Sequence, residues 1–173
     1  MRFCCGCILL VIATCEACAT SVGWNGEPVL KSIDGSPAIC LPSDASEAFP
    51  VSRVLLSESY VNRPLGWELK LKPNAAPLVL KSGECFRFGQ IPDGYEVDMP
   101  SRLKVLQKDI TYVFMMDRIN DARHYNYFYS TAFCVEGDVD AGYKYSQYVR
   151  LPDGGEVVPS CDATSRKESP PWK

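Results

Sequence analysis

The sequence predicts an all-β protein: an antiparallel immunoglobulin- or fibronectin-like β-sandwich with short turns, stapled by disulfides. Three observations carry that expectation. Thirteen prolines interrupt the chain so often that a long helix fits almost nowhere, because proline lacks the amide donor and collides with the preceding turn. Between them apolar residues recur with a period of two: Trp67, Leu69 and Leu71 alternate with Glu68, Lys70 and Lys72, the mark of a strand with one dry face and one wet. The intervals hold turn formers such as Asp34-Gly35-Ser36 and Pro92-Asp93-Gly94, whose residues bond locally or accept positive φ.

At the amino terminus, Arg2 precedes an uncharged, mostly apolar run from Phe3 to Ala13, and the first acid is Glu16. As a helix this run rises only about 16 Å, roughly half of a ~30 Å hydrocarbon core, so residues 1–18 read as a signal peptide and the chain is expected to be exported. The processing site is open. Ile12-Ala13-Thr14-Cys15 resembles a bacterial lipobox with Cys15 as the lipidated residue, although Thr14 departs from the small residue usual there. Ala17-Cys18-Ala19 fits ordinary signal peptidase, and Cys18 is an alternative acyl acceptor. With Glu16 rather than Asp after Cys15, an anchored protein is expected on the periplasmic side of the outer membrane.

Residues 19–35 are expected to be a linker or first strand, 36–164 the sandwich, and 165–173 a polar tail. Within the sandwich, Val51 to Leu56, Trp67 to Leu71, Leu78 to Leu80 and Cys85 to Phe88 read as short strands. Ile110 to Met116, apolar except for Thr111, reads as a central strand covered on both faces, and His124 to Val135 as a further β-rich stretch. About seven or eight strands at intervals of roughly 8 to 15 residues describe a sandwich.

Five of the nine cysteines fall in the leader, leaving Cys40, Cys85, Cys134 and Cys161 in the body. Widely spaced and without CxxC or histidine companions, they fit two disulfides of an oxidising compartment better than a metal site, the alternative being free buried thiols. Four cysteines allow three pairings, so connectivity stays open, with Cys40 and Cys134 expected in strands. Each bond is expected to add roughly 4 kcal/mol in the chain-entropy model.

Composition narrows the function. Eighteen basic against 21 acidic side chains give a net charge of -3, without the positive footprint a phosphate backbone demands, so no nucleic-acid partner is expected. There is one histidine, and no P-loop, dinucleotide fingerprint or G-x-S-x-G elbow. His124 reads as a surface imidazole rather than a general base. Glu136, Asp138 and Asp140 faintly suggest a calcium loop but lack its closing Glu, and read as a solvated hairpin tip. No enzyme, no cofactor and no metal are expected; a carboxylate-based enzyme is the minor alternative. The distinctive feature is aromatic: Tyr125, Tyr127, Phe128, Tyr129 and Phe133 precede Tyr143, Tyr145 and Tyr148. Alternating tyrosines on successive strands would present one amphipathic face, so Tyr125, Tyr127, Tyr129, Tyr143 and Tyr145, with the acidic tip Asp138 and Asp140, are the candidate partner-binding residues. The competing reading puts half of these rings in the core.

Several segments together resemble a family of bacterial periplasmic lipoproteins, the type VI secretion immunity proteins. They are Ser36-Pro37-Ala38-Ile39-Cys40-Leu41-Pro42, Trp67-Glu68-Leu69, Leu78 through Gly89, Pro92-Asp93-Gly94-Tyr95, Leu103, Tyr112 and Thr131-Ala132-Phe133-Cys134-Val135. The resemblance spans roughly residues 36 to 136. It implies a β-rich domain with an amino-terminal lipid anchor, monomeric when free, whose partner is a cognate toxin effector neutralised by occlusion, a lipase effector being one candidate. An acidic balance would raise the association rate with a basic toxin. The alternative class is an envelope adhesion, pilus-like or carbohydrate-binding sandwich module.

Overall fold

The computed structural model describes residues 25–98, 103–121, 127–138, 142–151, 156–157 and 161. Its elements are β1 (Asn25–Gly26), β2 (Val29–Ile33), β3 (Ser36–Cys40), β4 (Phe49–Glu58), β5 (Gly66–Leu71), β6 (Val79–Leu80), β7 (Cys85–Arg87), β8 (Tyr95–Val97), β9 (Thr111–Arg118), β10 (Phe128–Asp138), β11 (Gly142–Gln147), β12 (Val149–Arg150) and β13 (Glu156–Val157). The main sheet runs β1-β10-β9-β4-β5-β8, with β11 also on β10 and β6 also on β4. A second sheet, β2-β3-β7, is antiparallel throughout, and β12 and β13 form a small ribbon. The short pairing of β1 with β10 is parallel; the other pairings are antiparallel. The expected all-β, disulfide-stapled sandwich is the observed architecture, and the stretch expected as linker or first strand supplies β1 and β2.

Register explains the core. Trp67, Leu56, Phe114 and Thr131 lie opposite one another across four strands, and Leu69, Val54, Met116 and Tyr129 form the next row. These side chains are buried and, apart from the polar Thr131, join Ile39 and Phe86 of the second sheet in one apolar cluster. A bulge in β4 keeps the phase: Val51 opposes Arg118 and Arg53 opposes Asp117, which leaves Ser52 as the extra residue. Val51 and Val54, three apart, therefore both point inward. The Ser52 hydroxyl donates within 3.1 Å of the Asp117 and Arg118 carbonyls that the bulge displaces.

The central strand departs from expectation on its outer face. Tyr112, Phe114 and Met116 of β9 are buried, but Val113 and Met115 are only half-buried. They share that face with half-buried Leu55 and Phe128. A continuous apolar run thus arises without two-sided burial.

Both disulfides form. Cys40–Cys85 joins register partners of β3 and β7, closing a 45-residue separation inside the second sheet. Cys134–Cys161 spans 5.7 Å between Cα atoms and fixes the chain beyond β13 to the outer face of β10. The sandwich's open side is closed by side chains. Gln147, on β11, accepts from the Leu30 amide at 2.8 Å and donates to the Pro28 carbonyl at 2.8 Å, so its carboxamide substitutes for a backbone ladder between β11 and β2. Beside it, the Tyr145 hydroxyl donates to the Gly35 carbonyl at 2.6 Å and holds the tip of the β2–β3 hairpin.

Replacing Gln147 by Leu keeps the volume but strands the Leu30 amide and the Pro28 carbonyl. Urea unfolding should show a loss of about 1–3 kcal/mol; an unchanged midpoint would show that the two sheets are held without this bridge.

Candidate functional site

One end of the sandwich, here the upper end, is where β4 stops and β5 and β9 begin. Two loops meet there, 59–65 and 103–110, and the backbone fixes both. The Ser59 amide donates to the Thr111 carbonyl (2.8 Å) and the Glu58 amide to the Leu65 carbonyl (2.9 Å), while the Glu58 carboxylate accepts from the Leu65 amide (2.8 Å). The second loop is tied by Leu103 to the Gly66 carbonyl (3.2 Å), by the Gln107 amide to the Tyr112 hydroxyl (2.9 Å), and by Asp109 to the Val135 carbonyl (2.9 Å). Leu103 and Leu106 are buried and pull this loop onto the core.

What these loops display is apolar. Tyr60 and Val105 are each 65% exposed, and Val61, beside Tyr60, is exposed as well. Tyr60 also holds φ at +60°, a left-handed conformation that costs a bulky residue on the order of 1–2 kcal/mol. Strain concentrated on an exposed aromatic is a feature of recognition sites, because the surrounding bonds must over-determine it. Between the start of the second loop, Trp67 of β5 and the rim of the second sheet lies a cleft of about 440 Å³, lined by Ser36, Trp67, Phe88, Gly89, Leu103 and Lys104. Trp67 and Phe88 meet edge to face at 5.3 Å in its floor. Lys104 is exposed in its lining; Arg63 on the first loop, and Lys108 and Asp109 on the second, are exposed as well, so the loops carry charges of both signs.

The lower end differs in its electrostatics. A cleft of about 380 Å³ is lined by Ser52, Arg53, Met115, Asp117, Asn120 and Tyr127 among others. Its charges answer one another: Arg53 meets Asp117 at 2.5 Å and Glu68 at 3.3 Å, and Lys70 pairs with Glu68 and Asp98. Burial alone would lower the Arg53 pKa, but the Asp117 hydrogen bond and charge, with Glu68 behind them, hold it above its ordinary value. Lys70 is held up chiefly by its hydrogen bond to Asp98. A self-neutralised ladder offers a ligand little, since a new partner would have to displace an existing one.

The structure distributes the sequence-derived candidates differently from the expected outward face. Tyr129 is only 6% exposed, in the core, with its ring 5.1 Å from that of Phe49. The hydroxyl of half-buried Tyr127 donates to that of Tyr129 at 3.0 Å. Tyr143 and Tyr145 pack against the same core from β11, and Tyr145 also makes the Gly35 bridge. The alternating face that these rings share is thus turned toward the second sheet, because their register partners include buried Val135 and Met116. Cys15, Cys18, His124, Tyr125 and Asp140, with the side chain of Asp138, lie outside the described residues. Among the described residues no group of three or more His, Cys, Asp or Glu side chains could hold a metal ion. Sequence reasoning missed the upper loops; the signal for them was Tyr60-Val61, an apolar pair without alternating neighbours between Ser59 and Asn62-Arg63-Pro64. No family model, curated protein or solved structure matches the chain.

Two expectations follow from these environments. Burial raises the phenol pKa values of Tyr95, Tyr112, Tyr129 and Tyr145, so the native state keeps protons that the unfolded chain releases near pH 10. Their contribution is therefore complete below about pH 10 and declines above it; phenolate absorbance should rise cooperatively with unfolding, and early ionisation of all tyrosines in folded protein would contradict this. Replacing Tyr60 by Asn, which accepts left-handed φ, should raise stability by up to about 1 kcal/mol in thermal unfolding; a destabilised variant would show that the Tyr60 ring supports the fold.

Proposed function

We propose that this chain is a periplasmic immunity protein, lipid-anchored to the outer membrane, that binds a cognate type VI secretion toxin and neutralises it by covering it. The observation that carries the reading is the upper end: exposed Tyr60, Val61 and Val105 on loops pinned by backbone hydrogen bonds. Inhibition by occlusion depends on a surface already in its bound shape, because each loop ordered on binding subtracts from affinity. Two disulfides and the Gln147 bridge add stiffness. The residue pattern from Ser36 to Val135 resembles that of immunity lipoproteins, and the leader suits export.

Topology suits the anchor as well. β1 enters beside Phe128, at the lower end of β10. About ten residues separate Asn25 from Cys15, a reach on the order of 30 Å. An anchor at Cys15 would join the domain on the side where β1 enters, at the lower end. The carbohydrate-binding alternative would use the same cleft, but Trp67, 6% exposed, offers a sugar no open ring face to stack on.

The test is co-expression with the effector encoded beside this gene, with both exported. Survival and a stable complex are expected, and Tyr60→Ser with Val105→Ser should weaken binding by roughly 30-fold or more, as central interface anchors do. Neither protection nor a complex with any neighbouring effector would defeat the reading.

A further inference from the structure

The two disulfides differ in what surrounds them. Cys134 lies inside β10 with a strand on either side, opposite Thr111 of β9 and Ser146 of β11, and both Cys134 and its partner Cys161 are buried. The other bond is differently placed. Ile39 and Phe86 point into the core, so by alternation the bond between Cys40 and Cys85 lies on the face of the small sheet turned away from the main one. Cys40 is buried, but Cys85 is only half-buried, on edge strand β7, and among the described residues no strand pairs beyond it. The Leu41 amide donates to the Glu84 carbonyl and the Phe88 amide to the Pro37 carbonyl, each at 2.9 Å, which makes Cys40 and Cys85 a non-hydrogen-bonded pair of the ladder. Such pairs hold their Cα atoms about 4.5 Å apart, whereas disulfides most often span roughly 5.5–6 Å. The ladder therefore holds this bond short of its preferred span, and strained or exposed disulfides are the ones thiols open most readily.

We propose that Cys40–Cys85 is a site of reversible thiol–disulfide exchange, opened by a dithiol at Cys85 while Cys134–Cys161 stays closed. Exchange requires the incoming thiolate to lie in line with the bond that breaks. Cys85 Sγ is approached in line from beyond the β7 edge, whereas Cys40 Sγ would have to be approached from the side of β2, where Val29 opposes Cys40. The thiolate thus bonds to Cys85 Sγ, the S–S bond breaks, and Cys40 Sγ leaves as a thiolate that takes up a proton. The second thiol of the reductant then displaces Cys85, so the dithiol ends as a disulfide and the protein as two thiols. A small-molecule dithiol or a protein dithiol of the thioredoxin type supplies the two electrons. Closure is equally direct, because the Ile39–Phe86 pairing and the two flanking hydrogen bonds keep the sulfurs opposed once the bond is open. Opening removes the covalent closure of a 45-residue separation and leaves the small sheet to its ladder and packing, so redox state sets how firmly this layer covers the main sheet. The site is separate from the upper loops and does not depend on which partner they engage.

The test treats the folded full chain with reduced dithiothreitol at graded concentrations, blocks free thiols with N-ethylmaleimide at intervals, and maps the blocked cysteines by peptide mass spectrometry. Cys40 and Cys85 should be labelled together, roughly tenfold or more faster than Cys134 and Cys161, at a rate proportional to the reductant. Removing the reductant and adding oxidised glutathione should restore the bond. With reduced glutathione, a single thiol, the adduct trapped by acid should sit on Cys85. Protein reduced at this bond alone should unfold at a lower urea concentration. In concentrated urea the preference between the two bonds should vanish, because the fold creates it. Equal rates in the folded protein, Cys134–Cys161 opening first, or failure to re-form the bond overturns the proposal. A rate that does not rise with reductant overturns it too, since the bond would then open only when the chain unfolds. So does an adduct on Cys40, an unchanged urea midpoint after reduction, or a preference that persists in urea.

Discussion

An eight-stranded sheet with a largely apolar inner face is stable only while that face stays dry, and here three short strands do most of that work. The rows that run from Trp67 through Leu56 and Phe114, and from Leu69 through Val54 and Met116, are covered chiefly by β2, β3 and β7 with their connections, and by Leu103 and Leu106 of the upper loop. Three strands of at most five residues are marginal as an independent layer. Their hold on the large sheet is therefore reinforced at every side. The Cys40–Cys85 bond closes the small sheet upon itself, Ile39 and Phe86 fill the interior, and Gln147 and Tyr145 join its free edge to β11. Using a glutamine amide in place of a ladder also blunts an edge that would otherwise offer unpaired groups to another chain.

Closure of the sandwich decides which residues are left for recognition. Rings that the sequence presents as one amphipathic stripe are consumed in the closure: Tyr129 meets Phe49, Tyr145 meets Phe133 and reaches Gly35, and Tyr112 supports the loop of Gln107. On the outer face, the Arg53, Glu68, Lys70, Asp98 and Asp117 ladder spends its charges internally. Exposed Tyr60, Val61 and Val105 stand instead on the upper loops, where turns carry side chains that neither sheet can bury.

The legible and illegible parts of this structure divide along physical lines. Strand alternation, turn chemistry and even cysteine count are local or countable, and they led to the all-β class, to most strands from Val51 to Val135, and to the disulfides. Which side of a strand faces the core is a question of pairing: the period of two places Tyr129, Tyr143 and Tyr145 on one face without saying which, and the answer depends on register with Met116 and on the position of β2. The bulge at Ser52 and the left-handed Tyr60 leave no periodic trace, since one is an interruption of a pattern and the other a backbone state that tyrosine rarely adopts.

The central claim is that the upper loops form a rigid surface that a partner protein covers. Amide hydrogen exchange, recorded with and without the neighbouring effector, tests it most directly. Slow exchange at Ser59, Leu65, Gln107 and Asp109 in the free protein, with added protection confined to 59–65, 103–110 and the rim at Phe88, is the expected result. Rapid exchange at those amides in the free protein, or protection appearing at the lower end instead, would contradict it.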